Sequence, residues 1–137
     1  MLLDTQALIW FSHGNRRLGE EARERILEAA LTGGALVSPI SFWEVAMLVS
    51  KGKISFPAPV GAWAAEICGS ENGPMVAELS PAIAADAGQL PWDAHGDPAD
   101  RIIIATARAL NVPVMTSDEK ILAYAEAGHV QAIDARR

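Results

Sequence analysis

Cysteine is almost missing from this chain. Cys68 stands alone among 137 residues, so no internal disulfide and no Cys-based zinc site can form, and a small core residue in a reducing compartment is the simpler reading. Long apolar runs are missing as well. No window approaches the ~18 uninterrupted apolar residues of a membrane span, and the N-terminal MLLDTQALIWF contains Asp4 and has no basic lead. Neither a membrane span nor a secretory signal is expected, which places the protein in the cytoplasm. Basic charge is scarce, with 11 Lys and Arg against 17 Asp and Glu and a net charge of −6. A protein that grips nucleic acid through a broad basic surface is therefore disfavoured. A nuclease that gathers carboxylates around a divalent cation is not, because the bound ion inverts the local sign. What the chain does have is apolar content: 50% hydrophobic against 20% charged residues supports one real core and one domain over residues 1–137. There are no repeats, low-complexity tracts or interdomain linkers.

Short apolar runs alternate with helical patterns. MLL reads as a strand ending at Asp4, followed by a brief helix through Phe11. From Glu20 to Thr32, Ala22, Ile26, Ala29 and Ala30 share one face opposite charges, an amphipathic helix stopped by Gly33 and Gly34. ALVSPI reads as a buried strand, and Phe42, Val45, Ala46 and Val49 form a helix ending near Lys51 and Gly52. After a connector from Lys53 to Pro59, a helix over Val60 to Cys68, a strand over Met75 to Leu79 and a helix over Pro81 to Gln89 are expected. LPWDAHGDP is a loop. Pro98 to Leu110, with Ile102, Ile103 and Ile104, reads as a central buried helix; VPVMT is a strand, Glu119 to Ala127 a helix and VQAID a last strand. The alternation predicts a three-layer α/β/α domain with a mostly parallel sheet of four or five strands.

In such a sheet, ligands bind beyond the carboxyl ends of the strands. Four acids occupy those junctions. Asp4 follows LL, Glu44 opens the helix after ALVSPI, Asp100 opens the central helix and Asp118 follows VPVMT. Each has an ordinary explanation. Ser41 and Glu44 have capping-box spacing, Asp97 before Pro98 looks like an N-cap, Asp100 favours the dipole in the first turn, and Asp4 and Asp118 suit N-caps. Their neighbours point further. The residues three and four positions on are Ala7 and Leu8, Met47 and Leu48, Ile103 and Ile104, and Ile121 and Leu122, so each acid heads an apolar stripe aimed at the core. Of the remaining acids, only Glu119 shares the pattern clearly, through Leu122 and Ala123. Carboxylates gathered at one sheet edge repel by about 3 kcal/mol per pair at ~5 Å and an effective dielectric of ~20. A positive group is required among them, and with neither Cys nor paired His nearby, hard oxygen donors select Mg²⁺ or Mn²⁺.

The segments LLDTQALIW, SPISFWEVAMLVSKGKI, HGDPADRIIIATA and PVMTSDEKI, in this order along nearly the whole chain, resemble the motif series of PIN-domain ribonucleases, in particular the VapC-like toxins of prokaryotic toxin–antitoxin pairs. The resemblance implies a PIN-like fold and a Mg²⁺- or Mn²⁺-dependent RNA endonuclease leaving 5′-phosphate and 3′-hydroxyl ends. Its acidic quartet falls on Asp4, Glu44, Asp100 and Asp118, with Asp97 matching a further acid of HGDPADR whose capping role would also suffice. Asp4 and Asp100 are the expected direct ligands, and Glu44 and Asp118 act directly or through water. The resemblance also implies an RNA substrate, a VapB-like antitoxin with a flexible tail, and a homodimer. Only three residues precede Asp4, leaving room for a very short first strand.

Supporting roles follow from position. Thr5, Thr116 and Ser117 stand beside the acids, where they orient a carboxylate or water or make ordinary turns and caps. Arg101 and Lys120 are the nearest cations, with a solvated charge or surface ion pair as the plain alternative. Lys51 and Lys53 are candidates for RNA backbone contact or for a helix C-terminus. His95 in the HGDP loop contacts phosphate or closes the loop, while His13 and His129 read as surface or turn residues. Trp10, Phe11, Phe42 and Trp43 read as core, with Trp10 and Phe11 also suited to a partner. Two rival classes share an acidic pocket. A haloacid-dehalogenase-like phosphohydrolase needs a second aspartate where Gln6 stands, and a receiver-like signalling domain needs a phosphate-accepting aspartate where Ser80 follows the third strand. A degenerate fold kept only for binding is disfavoured by the presence of all four acids.

Overall fold

The computed structural model describes residues 1–91, 94 and 96–137; His95 lies outside the described residues. The order is β1 (Leu2–Leu3), α1 (Thr5–Ser12), α2 (Glu20–Leu31), β2 (Leu36–Val37), α3 (Pro39–Ser50), α4 (Val60–Gly69), β3 (Met75–Val76), α5 (Pro81–Gly88), α6 (Pro98–Leu110), β4 (Val114–Thr116), α7 (Glu119–Glu126) and β5 (Ala132–Asp134). The five strands lie in the order β3-β2-β1-β4-β5, every neighbour pair parallel.

Strand side chains alternate between the two faces of the sheet, and the core divides accordingly. Leu3, Val37 and Met115 pack with Ala7, Leu8, Ile26, Val45 and Trp63 from α1 to α4. Leu2 and Val114 pack on the other face with Ile83, Ile103, Ile104, Ile121 and Tyr124 from α5 to α7. Three layers result, as the alternation of elements predicts. Helix α6 has the expected boundaries because both ends are signalled. Asp97 caps it ahead of Pro98, and Asn111 closes it in the left-handed conformation at φ 51°, which asparagine tolerates better than most residues.

Two strand segments depart most from expectation, the strand expected over Met75 to Leu79 keeping only Met75–Val76 because only these residues pair with β2. ALVSPI contributes only Leu36–Val37 to the sheet, and α3 begins at Pro39 with Ser38 as its cap, the Ser38 Oγ accepting from the Ile40 N–H at 3.3 Å. Proline at the first helical position, preceded by serine, is a start signal that outweighs the apolar run around it. The capping box at Ser41 and Glu44 therefore does not form: Ser41 is fully buried inside the helix. Trp43 also departs from the core reading, being 54% exposed.

The C-terminal segment closes the layer around α2. Gly19 donates its N–H to the Ala135 carbonyl at 2.9 Å, and the Ala22 N–H reaches the Arg137 carbonyl at 3.0 Å, so residues 135–137 satisfy backbone donors at the start of α2. The chains meet so closely that a Cβ at Gly19 would lie 1.7 Å from the Arg137 oxygen. Gly19→Ala is therefore expected to destabilise the fold by about 1–3 kcal/mol, whereas Gly61→Ala, whose Cβ meets nothing within 4 Å, should be neutral or stabilising. Thermal melts of the two variants beside the parent check this; equal midpoints would show that the seam has slack.

Candidate active site

The direction of the strand order reverses at β1: the chain moves outward through β2 and β3, then returns to place β4 on the other side of β1. This is the crevice where open parallel sheets bind ligands. Asp4 leaves β1 there and Asp118 follows β4 there. Five of the buried polar side chains, Asp4, Thr5, Ser38, Ser41 and Thr116, belong to the carboxyl ends of β1, β2 and β4 or the helices leaving them.

Asp4 is 4% exposed, and both of its oxygens are engaged. Oδ1 accepts the Ala7 N–H at 2.6 Å, capping α1, and Oδ2 accepts the Thr116 hydroxyl. Thr116 Oγ1 in turn accepts the Asp118 N–H at 2.9 Å, so one hydroxyl links the two acids across β1 and β4. Beside them Thr5 donates to Ser41 Oγ at 3.1 Å, tying α1 to α3. Burial pushes the Asp4 carboxyl up to about 6; its two hydrogen bonds oppose that, and the charges of Asp118 and Glu44 add to it. The structure thereby brings Asp118 and Glu44 within electrostatic reach of Asp4; Asp100 is not among the main charges acting on it.

The ordinary explanations hold for some of these acids and fail for one. Asp118 caps α7, accepting the N–H groups of Lys120 and Ile121 at 2.8 and 3.1 Å. Asp97 caps α6 through Ala99 and Asp100, and Asp100 lies in the first turn. Glu44, however, is the sixth residue of α3, beyond the reach of a capping role. It is half-buried, and its charge acts on Asp4. The stripes behind Asp4, Asp100 and Asp118 are core, with Ala7, Leu8, Ile103, Ile104 and Ile121 fully buried. Glu119, which shares that pattern, is instead exposed and paired with Arg136 at 2.5 Å.

The donor chemistry at this edge fits a hard divalent cation: carboxylates and hydroxyls, no thiolate, and a buried carboxyl that ionises near neutrality only at a cost. Among the described residues no group of three or more His, Cys, Asp or Glu is gathered tightly enough to enclose a metal.

The supporting candidates divide. Arg101 donates its Nε to the Ala87 carbonyl at the end of α5 at 2.8 Å. Lys120 is exposed in the first turn of α7, and Lys51 caps the far end of α3. Trp10 is buried in the core, so of that pair only Phe11 keeps surface for a partner. His129 stacks on Tyr124 with ring centroids 4.7 Å apart, and exposed His13 meets Phe56 edge-on. Sequence reasoning missed Ser38, although Ser38–Pro39 carries the same start signal as Asp97–Pro98.

Comparisons with known proteins agree with this geometry. The PIN domain family profile matches residues 1–127. Ribonuclease VapC22 of Mycobacterium tuberculosis is 32% identical over 124 residues, covering 90% of this chain and 91% of that protein. The crystal structure of FitAcB from Neisseria gonorrhoeae shares the fold with a TM-score of 0.58 at 18% identity, covering 98% of this chain and 96% of that one.

The raised carboxyl sets a pH dependence. The folded chain holds the Asp4 proton up to about pH 6, whereas the ordinary value is 3.8, so the folded state binds more protons between them and stability falls as pH rises through that window. The difference corresponds to about 3 kcal/mol. Asp4→Asn keeps an acceptor for Ala7, and without divalent cations it should melt several degrees above the parent at pH 7.5 and lose that advantage near pH 4. An advantage independent of pH would assign the effect to packing.

Proposed function

The chain belongs to the PIN-domain family, and from that premise we propose that it is a Mg²⁺- or Mn²⁺-dependent endoribonuclease whose catalytic carboxylates are Asp4, Glu44, Asp100 and Asp118. The observation that carries this reading is Asp4: a buried carboxyl at the topological switch point, raised to about 6, with two like charges near it. A structural cap alone would need neither the burial nor the company.

Asp4 and Asp100 would hold the cation directly, with Glu44 and Asp118 directly or through water and Asp97 serving chiefly as the α6 cap. When bound, the divalent ion supplies Lewis-acid activation of a water and neutralises charge on the phosphodiester and its leaving 3′ oxygen. The protein's part is orientation. Thr116 fixes the Asp4 Oδ2, the Ala7 N–H fixes Oδ1, and the hydroxyl shared with the Asp118 backbone keeps β1 and β4 in register at the reacting edge. The two rival classes lose ground at Gln6, which is exposed on α1, and at Ser80, which caps α5.

The protein acts as the toxin of a toxin–antitoxin pair in the cytoplasm. A free endoribonuclease there must be restrained, and an acidic pocket is closed most simply by a cation. The partner is accordingly a VapB-like antitoxin whose flexible tail folds on binding and places an Arg or Lys among the carboxylates. A C2 homodimer completes the assembly. Among the described residues no helix is long and apolar enough to cross a membrane.

RNA cleavage should require Mg²⁺ or Mn²⁺ and stop with EDTA, and Asp100→Ala or Glu44→Gln should lower kcat by about two orders of magnitude or more. Expression of the parent alone should arrest growth, and Asp100→Ala should relieve the arrest while still binding the antitoxin. Hydrolysis of a generic phosphomonoester, or phosphorylation by acetyl phosphate, without RNA cleavage would move the protein to a rival class. Toxicity that survived with cleavage gone would separate the toxin role from the nuclease.

A further inference from the structure

Two of the buried hydroxyls at the carboxyl edge of the sheet bond to each other. Thr5 Oγ1 donates to Ser41 Oγ at 3.1 Å, where Ser41 is fully buried and Thr5 is 6% exposed. The strands bring them there. β1 and β2 pair with Leu3 beside Val37, Asp4 and Ser38 cap the helices that leave those strands, and Thr5 opens α1 while Ser41 is the third residue of α3.

Each partner adjoins a candidate ligand. Thr5 follows Asp4, and Glu44 lies three residues beyond Ser41, about one turn along the same helix face. The hydrogen bond therefore ties the turn that carries Asp4 to the turn that carries Glu44. These acids are close enough for the Glu44 charge to raise the Asp4 carboxyl. Packing alone does not call for such a bond, because a buried pair of hydroxyls adds little stability over apolar groups of the same shape. It does supply a short span. Methyl carbons settle at about 3.5–4.0 Å from each other, against 3.1 Å for the two oxygens.

We propose that the Thr5–Ser41 bond is a strut that sets the span between Asp4 and Glu44, making Thr5 and Ser41 positioning residues that favour a small divalent cation over a large one. The proposal rests on the metal-dependent reading of the acidic crevice. Mg²⁺ demands near-ideal octahedral geometry with oxygens at about 2.0–2.1 Å, whereas Ca²⁺ accepts about 2.3–2.6 Å and irregular arrangements. A crevice whose acids stand roughly half an ångström further apart, as methyl groups in place of the hydroxyls would impose, should lose Mg²⁺ and keep Ca²⁺.

The test is the rise in melting temperature with Mg²⁺ and, separately, with Ca²⁺ at pH 7.5, read as a Kd for each ion. It compares the parent with Thr5→Val, Ser41→Ala, the double variant and Thr5→Ser. Each of Thr5→Val and Ser41→Ala leaves one buried hydroxyl unpaired and should melt below the parent without ions. The double variant leaves none and should recover most of that loss. Ion binding should not recover with it. The Mg²⁺ Kd should rise by about tenfold or more in both single variants and in the double, and the Ca²⁺ Kd should change by less than about threefold. Thr5→Ser keeps the hydroxyl and should restore the Mg²⁺ value. An unchanged Mg²⁺ Kd in the double variant would overturn the strut, as would a Mg²⁺ loss that Thr5→Ser fails to restore. Equal losses for the two ions would assign the bond to stability and equally overturn it. Failure of the parent to bind either ion would instead overturn the metal-dependent reading, and the strut with it.

Discussion

A carboxylate kept out of water at the switch point of a parallel sheet is the constraint on which the rest of this molecule turns. Asp4 is attached to β1, the central strand, so it cannot retreat to solvent without taking the strand with it. Its two oxygens are instead satisfied from two directions, by the first turn of α1 and by Thr116 on β4. Those bonds offset the desolvation of the carboxylate only in part, since the carboxyl remains raised. A buried anion beside two more acids is a site poised for a cation, and ligand binding to the folded state alone would recover the stability that ionisation costs. The fold accepts a local penalty at the place where it needs charge.

The acids around Asp4 show how structural and chemical duties share residues. Capping and ion binding both call for a carboxylate at a helix start, since the N-terminus presents free N–H groups and positive potential. Asp118 and Asp97 perform the first duty visibly, each accepting two backbone N–H groups of the helix it opens, and capping orients these side chains at the sheet edge. Glu44 separates the two duties because α3 begins at Ser38, leaving this acid well inside the helix.

How much was legible in the sequence follows the range of the forces involved. Local signals carried the helices: Asp97–Pro98 and Asn111 bound α6 where expected, and the four candidate acids were singled out because each sits next to its own apolar stripe. Strands were overextended, as at ALVSPI and at Met75 to Leu79. An apolar run reports burial, whereas strand length is decided by which backbone groups find a partner across the sheet. Trp43 was misread as core by its residue type, although it lies off the stripe of Phe42, Val45 and Val49 that packs inward. The seam at Gly19 was invisible: it depends on backbone bonds between segments more than a hundred residues apart, and no spacing rule connects Gly19 to Ala135. The bond from Arg101 to the Ala87 carbonyl was equally invisible, since adjacency to Asp100 in sequence says nothing about a carbonyl on α5.

The same contrast between local and global charge bears on how an acidic protein can handle a polyanion. The net charge of −6 argues against broad electrostatic capture, and that argument is sound at long range. At physiological ionic strength, however, exposed charges more than about 8 Å apart are largely screened. A phosphate approaching the crevice therefore responds mainly to the few groups within that distance. Pairing of Glu119 and Asp134 with Arg136, and of Glu21 with Arg25, removes several acids from that neighbourhood without altering the net charge. The crevice itself is different: burial and the charges of Asp118 and Glu44 hold the Asp4 carboxyl up, and above its pKa a cation would relieve the repulsion. Screening at the rim and coupling at the centre are why net charge alone does not exclude an anionic substrate. The arrangement of charge, more than its sum, decides what this protein can bind.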